Sequence, residues 1–232
     1  MNPLQGVLSE AWAMYKAHAQ HLLTVAFVIY VVAALIEFVL AGLLGWVGAV
    51  LALIVAIIAA FLLQAALVKA VDDVRDGRVD LSLSETVQAA RPAVAKVAGA
   101  SIVSGIAIGI GLILFIVPGL YLITIWCLIV PVIVLEGAGI GAAFGRSQQL
   151  VKGHGWQVFG TIILVFLLLL VVSLVIGLIL AVLPYALRQA ISGVVSGTLI
   201  SPFLALVVTL AYFRLRSAHG DTAGPATSPG VM

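Results

Sequence analysis

Residues 97–135 read VAGASIVSGIAIGIGLILFIVPGLYLITIWCLIVPVIVL, 39 residues between Lys96 and Glu136 without one charged side chain. As a single helix this stretch would be about 58 Å long at 1.5 Å per residue. That is about twice the ~30 Å hydrocarbon core of a bilayer, so the stretch must fold back on itself. Pro118-Gly119 lies near its centre, and Pro-Gly is a strong turn signal. The turn is therefore placed at Pro118 and Gly119, giving one span over about 94–117 and a shorter one over about 120–135.

The rest of the chain repeats this pattern. Between Lys152 and Arg188 lie 35 uncharged residues, and between Arg188 and Arg214 another 25. Residues 22–68 form a fourth apolar stretch, interrupted by Glu37 alone. A charge at mid-bilayer is costly and a spanning helix needs ~20 apolar residues, so a membrane accounts for all four stretches. Gly42, Gly45 and Gly48 bracket Trp46 and divide the first stretch into spans over 22–43 and 47–67. Leu183-Pro184-Tyr185 separates spans over 158–183 and 190–213. The expected fold is all-α: a polytopic membrane protein of six transmembrane helices, one membrane domain over 1–216 and a disordered tail over 217–232.

Composition agrees. The chain of 232 residues is 64% hydrophobic and 9% charged, against roughly 25% charged in ordinary soluble domains, which excludes a soluble globular enzyme. A net charge of +2 gives no reason to expect nucleic acid as a partner. The single cysteine, Cys127, can form no internal disulfide. The first apolar run is longer than the 7–15 residues of a signal-peptide core, so it is read as a permanent span.

Ten of the eleven Lys and Arg residues fall on one side of this topology. They are Lys16, Lys69, Arg75, Arg78, Arg91, Lys96, Arg146, Lys152, Arg214 and Arg216, with Arg188 on the other side. The positive-inside rule then puts both termini in the cytoplasm, and the expected location is the cell (inner or plasma) membrane. Trp12, Tyr15, Trp156 and Tyr212 are placed in the inner aromatic belt, and Trp46 and Tyr185 in the outer one.

Each cytoplasmic segment carries an amphipathic pattern ahead of a hairpin of spans. Leu4, Leu8, Ala11, Trp12 and Tyr15 share a helical face, with Asn2 and Pro3 as the expected N-cap and first helical residue. Leu83, Val87, Ala90 and Val94 share another, opened by a Ser82/Glu85 capping box, with Pro92 expected to break or bend the chain. Ile140, Phe144 and Val151 form the third. Such helices are expected to lie in the interface plane. Lys16-Ala17-His18, Arg91-Pro92-Ala93 and Lys152-Gly153-His154 align without gaps. The arrangement is open to a threefold parallel repeat with units over about 3–71, 82–136 and 140–216.

Residues 118–137, PGLYLITIWCLIVPVIVLEG, and 143–160, AFGRSQQLVKGHGWQVFG, carry a resemblance. A Pro-Gly pair, a span ending in Glu-Gly, then Arg-Ser and Leu-Val-Lys-Gly ahead of an aromatic-opened span resemble the membrane domain attached to some bacterial glycerophosphoryl diester phosphodiesterases. Related stand-alone six-span proteins share it. In the fused proteins the chemistry belongs to a separate soluble domain, so the resemblance implies an architecture and no activity.

Few residues could carry chemistry. Glu37 is the one acid within a span, and an intramembrane acid suggests a proton relay, a cation site or a polar contact between helices. The structural alternative is a protonated Glu37 bonded to Gln64. Glu136 ends a span, where a carboxylate opposes the helix dipole, and Arg146 or Lys152 is its expected ion-pair partner. Ser101, Gly105 and Gly109, and likewise Gly193, Gly197 and Ser201, recur every four residues and allow close helix packing. The two stripes could face each other or serve a homodimer. His18, His21 and His154 lack zinc-site spacing. Asp72, Asp73, Asp76 and Asp80 with Arg75 and Arg78 read as a solvated linker, and Gly77 does not fit a calcium loop. Pro131 and Pro202 predict kinks. G-x-S-x-G is absent.

These features point to a non-enzymatic membrane scaffold or accessory subunit without a cofactor. Its expected partners are the lipid bilayer and either another protein or further copies of itself. The resemblance ties it to lipid or envelope metabolism. The competing reading is a small carrier or channel for a lipid or apolar solute, with Glu37 at its centre.

Overall fold

A computed structural model describes residues 3–75, 77, 80–182 and 184–220, without the side chains of residues 41 and 185–191. Asp76, Arg78, the side chain of Arg188 and tail residues 221–232 lie outside this description. The described elements are α1 (Val7–Ala17), α2 (Ala19–Val74), α3 (Leu83–Leu114), α4 (Ile116–Trp126), α5 (Ile129–Glu136), α6 (Ile140–Val151), α7 (Gly155–Leu180) and α8 (Tyr185–Ala218). They supply six helical stretches long and apolar enough to cross a bilayer. The protein is an all-α, multi-pass integral membrane protein.

Two spans come from α2, which reverses at Gly45. That residue takes φ 55° and ψ −128°, a region essentially closed to residues with a side chain. Gly48 completes the turn. A Cβ there would lie 1.8 Å from the carbonyl oxygen of Leu40, so the hairpin closes only because Gly48 has none.

The turn between the third and fourth spans is not at Pro118-Gly119. It falls at Phe115, which is extended (φ −155°, ψ 137°) between α3 and α4. Pro118 is the third residue of α4. The first N–H groups of a helix have no intrahelical partner, so proline is tolerated there as readily as in a loop. Gly119 serves packing rather than turning. A Cβ on it would lie 2.4 Å from the Leu112 side chain, and one on Gly111 would lie 3.1 Å from Gly119. The missing side chains let α3 and α4 touch backbone to backbone.

The fourth span breaks at Cys127-Leu128, between α4 and α5, as Pro131 predicts. Pro131 offers no N–H to the carbonyl four residues earlier, and its ring crowds that carbonyl. Ser147 of α6 repairs the break. Its hydroxyl donates to the Ile125 carbonyl at 2.7 Å and accepts from the Leu128 N–H at 3.3 Å, in a fully buried position.

Pro92 does not interrupt α3, so the second amphipathic segment is continuous with its span. Pro92 and Gln88, four residues earlier, both lie on the exposed face, where water can satisfy the freed Gln88 carbonyl. The Ser82/Glu85 capping box forms: the Ser82 N–H donates to Glu85 Oε2 at 2.8 Å, and the Glu85 N–H to Ser82 Oγ at 3.4 Å.

The first segment also differs from expectation. Its helix starts at Val7 with Gly6 as N-cap, a turn after Pro3; Asn2 lies outside the description. Moreover α1 runs along α8 rather than flat beside it. Arg214 donates to the Pro3 carbonyl at 3.4 Å and pairs with Glu10, whereas Tyr15 reaches the Leu199 carbonyl at 3.1 Å. Trp12, Tyr15 and Phe203 cluster between these ends. A separate helix ahead of a hairpin is thus present in the first and third units and fused to its span in the second.

The core gathers at the end of the bundle that bears the cations, called here the basic end. Buried residues include Leu22, Val25, Leu67, Val71, Val97, Leu128, Ile133, Leu150, Leu206 and Leu215. Toward the other end, Leu35, Phe38, Leu53, Ile54, Ile113, Phe166, Leu174 and Leu178 are exposed. Burial in water would demand the reverse, but hydrocarbon solvates these faces.

Candidate functional site

Four helices bring polar side chains together at the basic end. Glu136 is the last residue of α5, so its carboxylate sits where the helix dipole is negative. Cations compensate it. Arg146 of α6 donates through Nε to both carboxylate oxygens, at 3.2 and 3.1 Å. Lys96 of α3 donates to the Gly137 carbonyl at 2.9 Å, just beyond the helix end. Tyr212 of α8 donates its hydroxyl to Glu136 Oε1 at 2.8 Å, and Arg216, one turn on, donates to the Tyr212 oxygen at 3.3 Å.

The sequence-level pairing of Glu136 with Arg146 is therefore present. Lys152 is not part of it, because α6 ends at Val151 and Lys152 points to the exposed side. Tyr212 departs further from expectation. It is fully buried, not an aromatic-belt residue, and its hydroxyl links α8 to α5. The available signal was the i, i+4 spacing of Tyr212 and Arg216, which puts both on one face of α8. Trp12, Trp46 and Trp156 are exposed, and the Tyr185 side chain lies outside the description.

Glu37 and Gln64 do not meet. Glu37 is eight residues before Gly45 and Gln64 nineteen after it. The hairpin therefore offsets them by about eleven residues, or about 16 Å along the helix at 1.5 Å per residue. Gln64 is exposed and Glu37 half-exposed.

The small-residue stripes separate in the same way. On α8, a Cβ at Gly197 would lie 2.4 Å from the Tyr30 ring, and Ser201 shares a 3.1 Å hydrogen bond with the Tyr30 hydroxyl. Gly193 meets nothing within 4 Å. This stripe packs on α2, not on α3. On α3, Gly105 and Gly109 have nothing within 4 Å of where a Cβ would be, so the face bearing Ser101, Gly105 and Gly109 is open.

His154, the N-cap of α7, meets His219, the C-cap of α8, with ring centroids 5.7 Å apart. His219 was not singled out from the sequence. Its Nδ1 lies 2.9 Å from the Leu215 carbonyl, so that nitrogen carries the hydrogen. Among the described residues no three His, Cys, Asp or Glu side chains gather as metal ligands. At the end of α2, Asp73 accepts from the Leu81 N–H at 3.1 Å, and just beyond it the Arg75 guanidinium stands 3.9 Å over the Phe213 ring. The first ties the linker back to α2, and the second ties it to α8. In α1, burial pushes the Tyr15 phenol above its ordinary range.

The chemistry available at the Glu136 cluster is that of a clamp. A carboxylate held by a guanidinium and a phenol fixes α5, α6 and α8 in one register. No family model, curated protein or solved structure matches this chain.

Proposed function

We propose that this protein is a non-enzymatic scaffold or accessory subunit that docks against another membrane protein through α3 and the far half of α7. The observation that carries the reading is the open stripe on α3. Ser101, Gly105 and Gly109 recur every four residues, and no side chain among the described residues lies over the glycines. In hydrocarbon, close packing of helices rests on such stripes. Helix α7 points the same way, since in its far half Ile176 is buried while Leu170, Val171, Leu174, Val175, Leu178 and Ile179 are exposed.

The distribution of cations supports an orientation with both termini in the cytoplasm. The resemblance to the phosphodiesterase-linked membrane domain supports a partner in lipid or envelope metabolism. The carrier reading draws less support. Neither the apolar groove beside α7 nor the polar hollow near Lys152 includes Glu37 in its lining, and Ser147 plugs the break in the fourth span.

The test is native mass spectrometry of the protein extracted from its own membrane in mild detergent. A stoichiometric assembly is expected, whether with a second protein or another copy, and Gly105→Leu with Gly109→Leu should dissolve it while the isolated chain melts as before. A wild-type chain recovered without any protein partner would overturn the proposal.

A further inference from the structure

Between α7 and α8 runs an apolar groove of about 220 Å³. Val158, Ile162, Val165 and Leu169 line one wall, Leu204, Val207 and Ala211 the other, and Cys127 and Leu128 at the break of the fourth span form the floor. Along α7 the lining runs from Val158 to Leu169, eleven steps or about 16 Å at 1.5 Å per residue. That is half of a ~30 Å hydrocarbon core, the depth of one leaflet. The groove begins near the basic end and stops near mid-bilayer.

Polar side chains lie beyond its basic end, outside the apolar lining. One turn beyond Val158 is His154, and two turns beyond Ala211 is His219, with the two rings in contact. His154 Nδ1 and Gln157 Oε1 are both buried without a hydrogen-bond partner in the described structure. Buried polar atoms of this kind are normally satisfied, so each calls for a partner that the described residues do not supply. Lys152 and Arg216 add positive charge in the adjoining turns. The carboxylate of Glu136 is already engaged by Arg146 and Tyr212. The mouth thus suits an anion with hydroxyl or ester groups, and the groove suits a single hydrocarbon chain.

We propose that this groove holds one acyl chain of an anionic phospholipid from the leaflet at the basic end, with the phosphate beside His154 and His219. The length match assigns the chain, and the unpaired His154 nitrogen among cations assigns the headgroup. The lipid would complete the contact between α7 and α8. This proposal does not depend on the docking role of α3.

The test uses the full chain in phosphatidylcholine nanodiscs doped with phosphatidylglycerol bearing a diazirine on one acyl chain. After photolysis, label is mapped by peptide mass spectrometry. Label should concentrate on peptides covering 158–169 and 204–211, above the level on the lipid-facing residues Leu53, Ile54 and Ile58 of α2. Val165→Trp should bring it down to that level. Should that variant not fold, Leu169→Trp fills the far end of the same groove. Replacing both His154 and His219 by Ala should reduce labelling by phosphatidylglycerol, and a phosphatidylcholine probe with the same tail should label the groove weakly throughout. Labelling no higher than on α2, or equal labelling by the two headgroups, would overturn the proposal.

Discussion

Tyr212→Phe isolates the clamp at the basic end. The change removes one hydroxyl and leaves the ring in its fully buried site. Two hydrogen bonds go with it: the 2.8 Å bond to Glu136 and the 3.3 Å bond from Arg216. A hydrogen bond to a charged group contributes about 1.5–3 kcal/mol. Glu136 keeps both contacts from Arg146, so it is not orphaned, and its side chain remains 22% exposed. The lower part of the range therefore applies, about 1.5–2 kcal/mol. At about 2–4 °C per kcal/mol for a chain of this size, the midpoint of thermal unfolding in detergent should fall by about 3–8 °C. A double-mutant cycle with Glu136→Gln separates this bond from general disturbance, because residues in one network couple by about 0.5–3 kcal/mol. The same cycle run with Lys152→Ala should be additive within about 0.5 kcal/mol. An unchanged midpoint for Tyr212→Phe, or additivity with Glu136→Gln, would refute the clamp.

Ser147→Ala should cost more, because it strands both the Ile125 carbonyl and the Leu128 N–H in the core. At about 1–3 kcal/mol for each of the two unsatisfied groups, a loss of about 2–6 kcal/mol is expected, measured by the same melts, with Ser147→Thr closer to wild type than Ala if its hydroxyl keeps both bonds. Gly45→Ala forces an alanine into φ 55°, ψ −128° at about 1–3 kcal/mol. The altered turn should shift the emission of Trp46 next to it, and an unshifted spectrum with an unchanged melt would show that the turn does not need glycine.

Much of this architecture was legible from charge and apolarity because the bilayer imposes both over long stretches. An uncharged run of 39 residues can be read without knowing any contact. The position of the turn within it was less legible. Pro118-Gly119 satisfies two environments equally, a loop and the first turn of a helix, and only the approach of Gly119 to Leu112 decides between them. At the site, Glu136 stood out because a carboxylate at a helix C-terminus requires a cation, and Arg146 supplies it. Tyr212 was invisible as a clamp residue, since its partner is 76 positions away and depends on how α8 registers against α5. Tyrosine near a span end reads as a belt residue until that register is known. Ser147 was hidden for the same reason: Pro131 announces the break, but nothing local says which side chain repairs it.

The concentration of polar contacts at one end of the bundle has a physical logic. Helices in hydrocarbon gain nothing from burying leucine against leucine, because lipid tails solvate the side chains equally well. What fixes their order is close packing and hydrogen bonding. In this chain those fixings cluster at the basic end: Glu136 with Arg146 and Tyr212, Lys96 on Gly137, Arg214 on Glu10, and Ser147 in the break. Toward the other end the described residues carry few such contacts, and the exposed helix faces are leucine, isoleucine, valine and phenylalanine. A bundle locked at one end and held at the other by packing alone can admit a foreign helix or an acyl chain between its spans without breaking a hydrogen bond. The open stripe of α3 lies toward that loosely held end, and the groove beside α7, which begins at the basic end, runs to mid-bilayer.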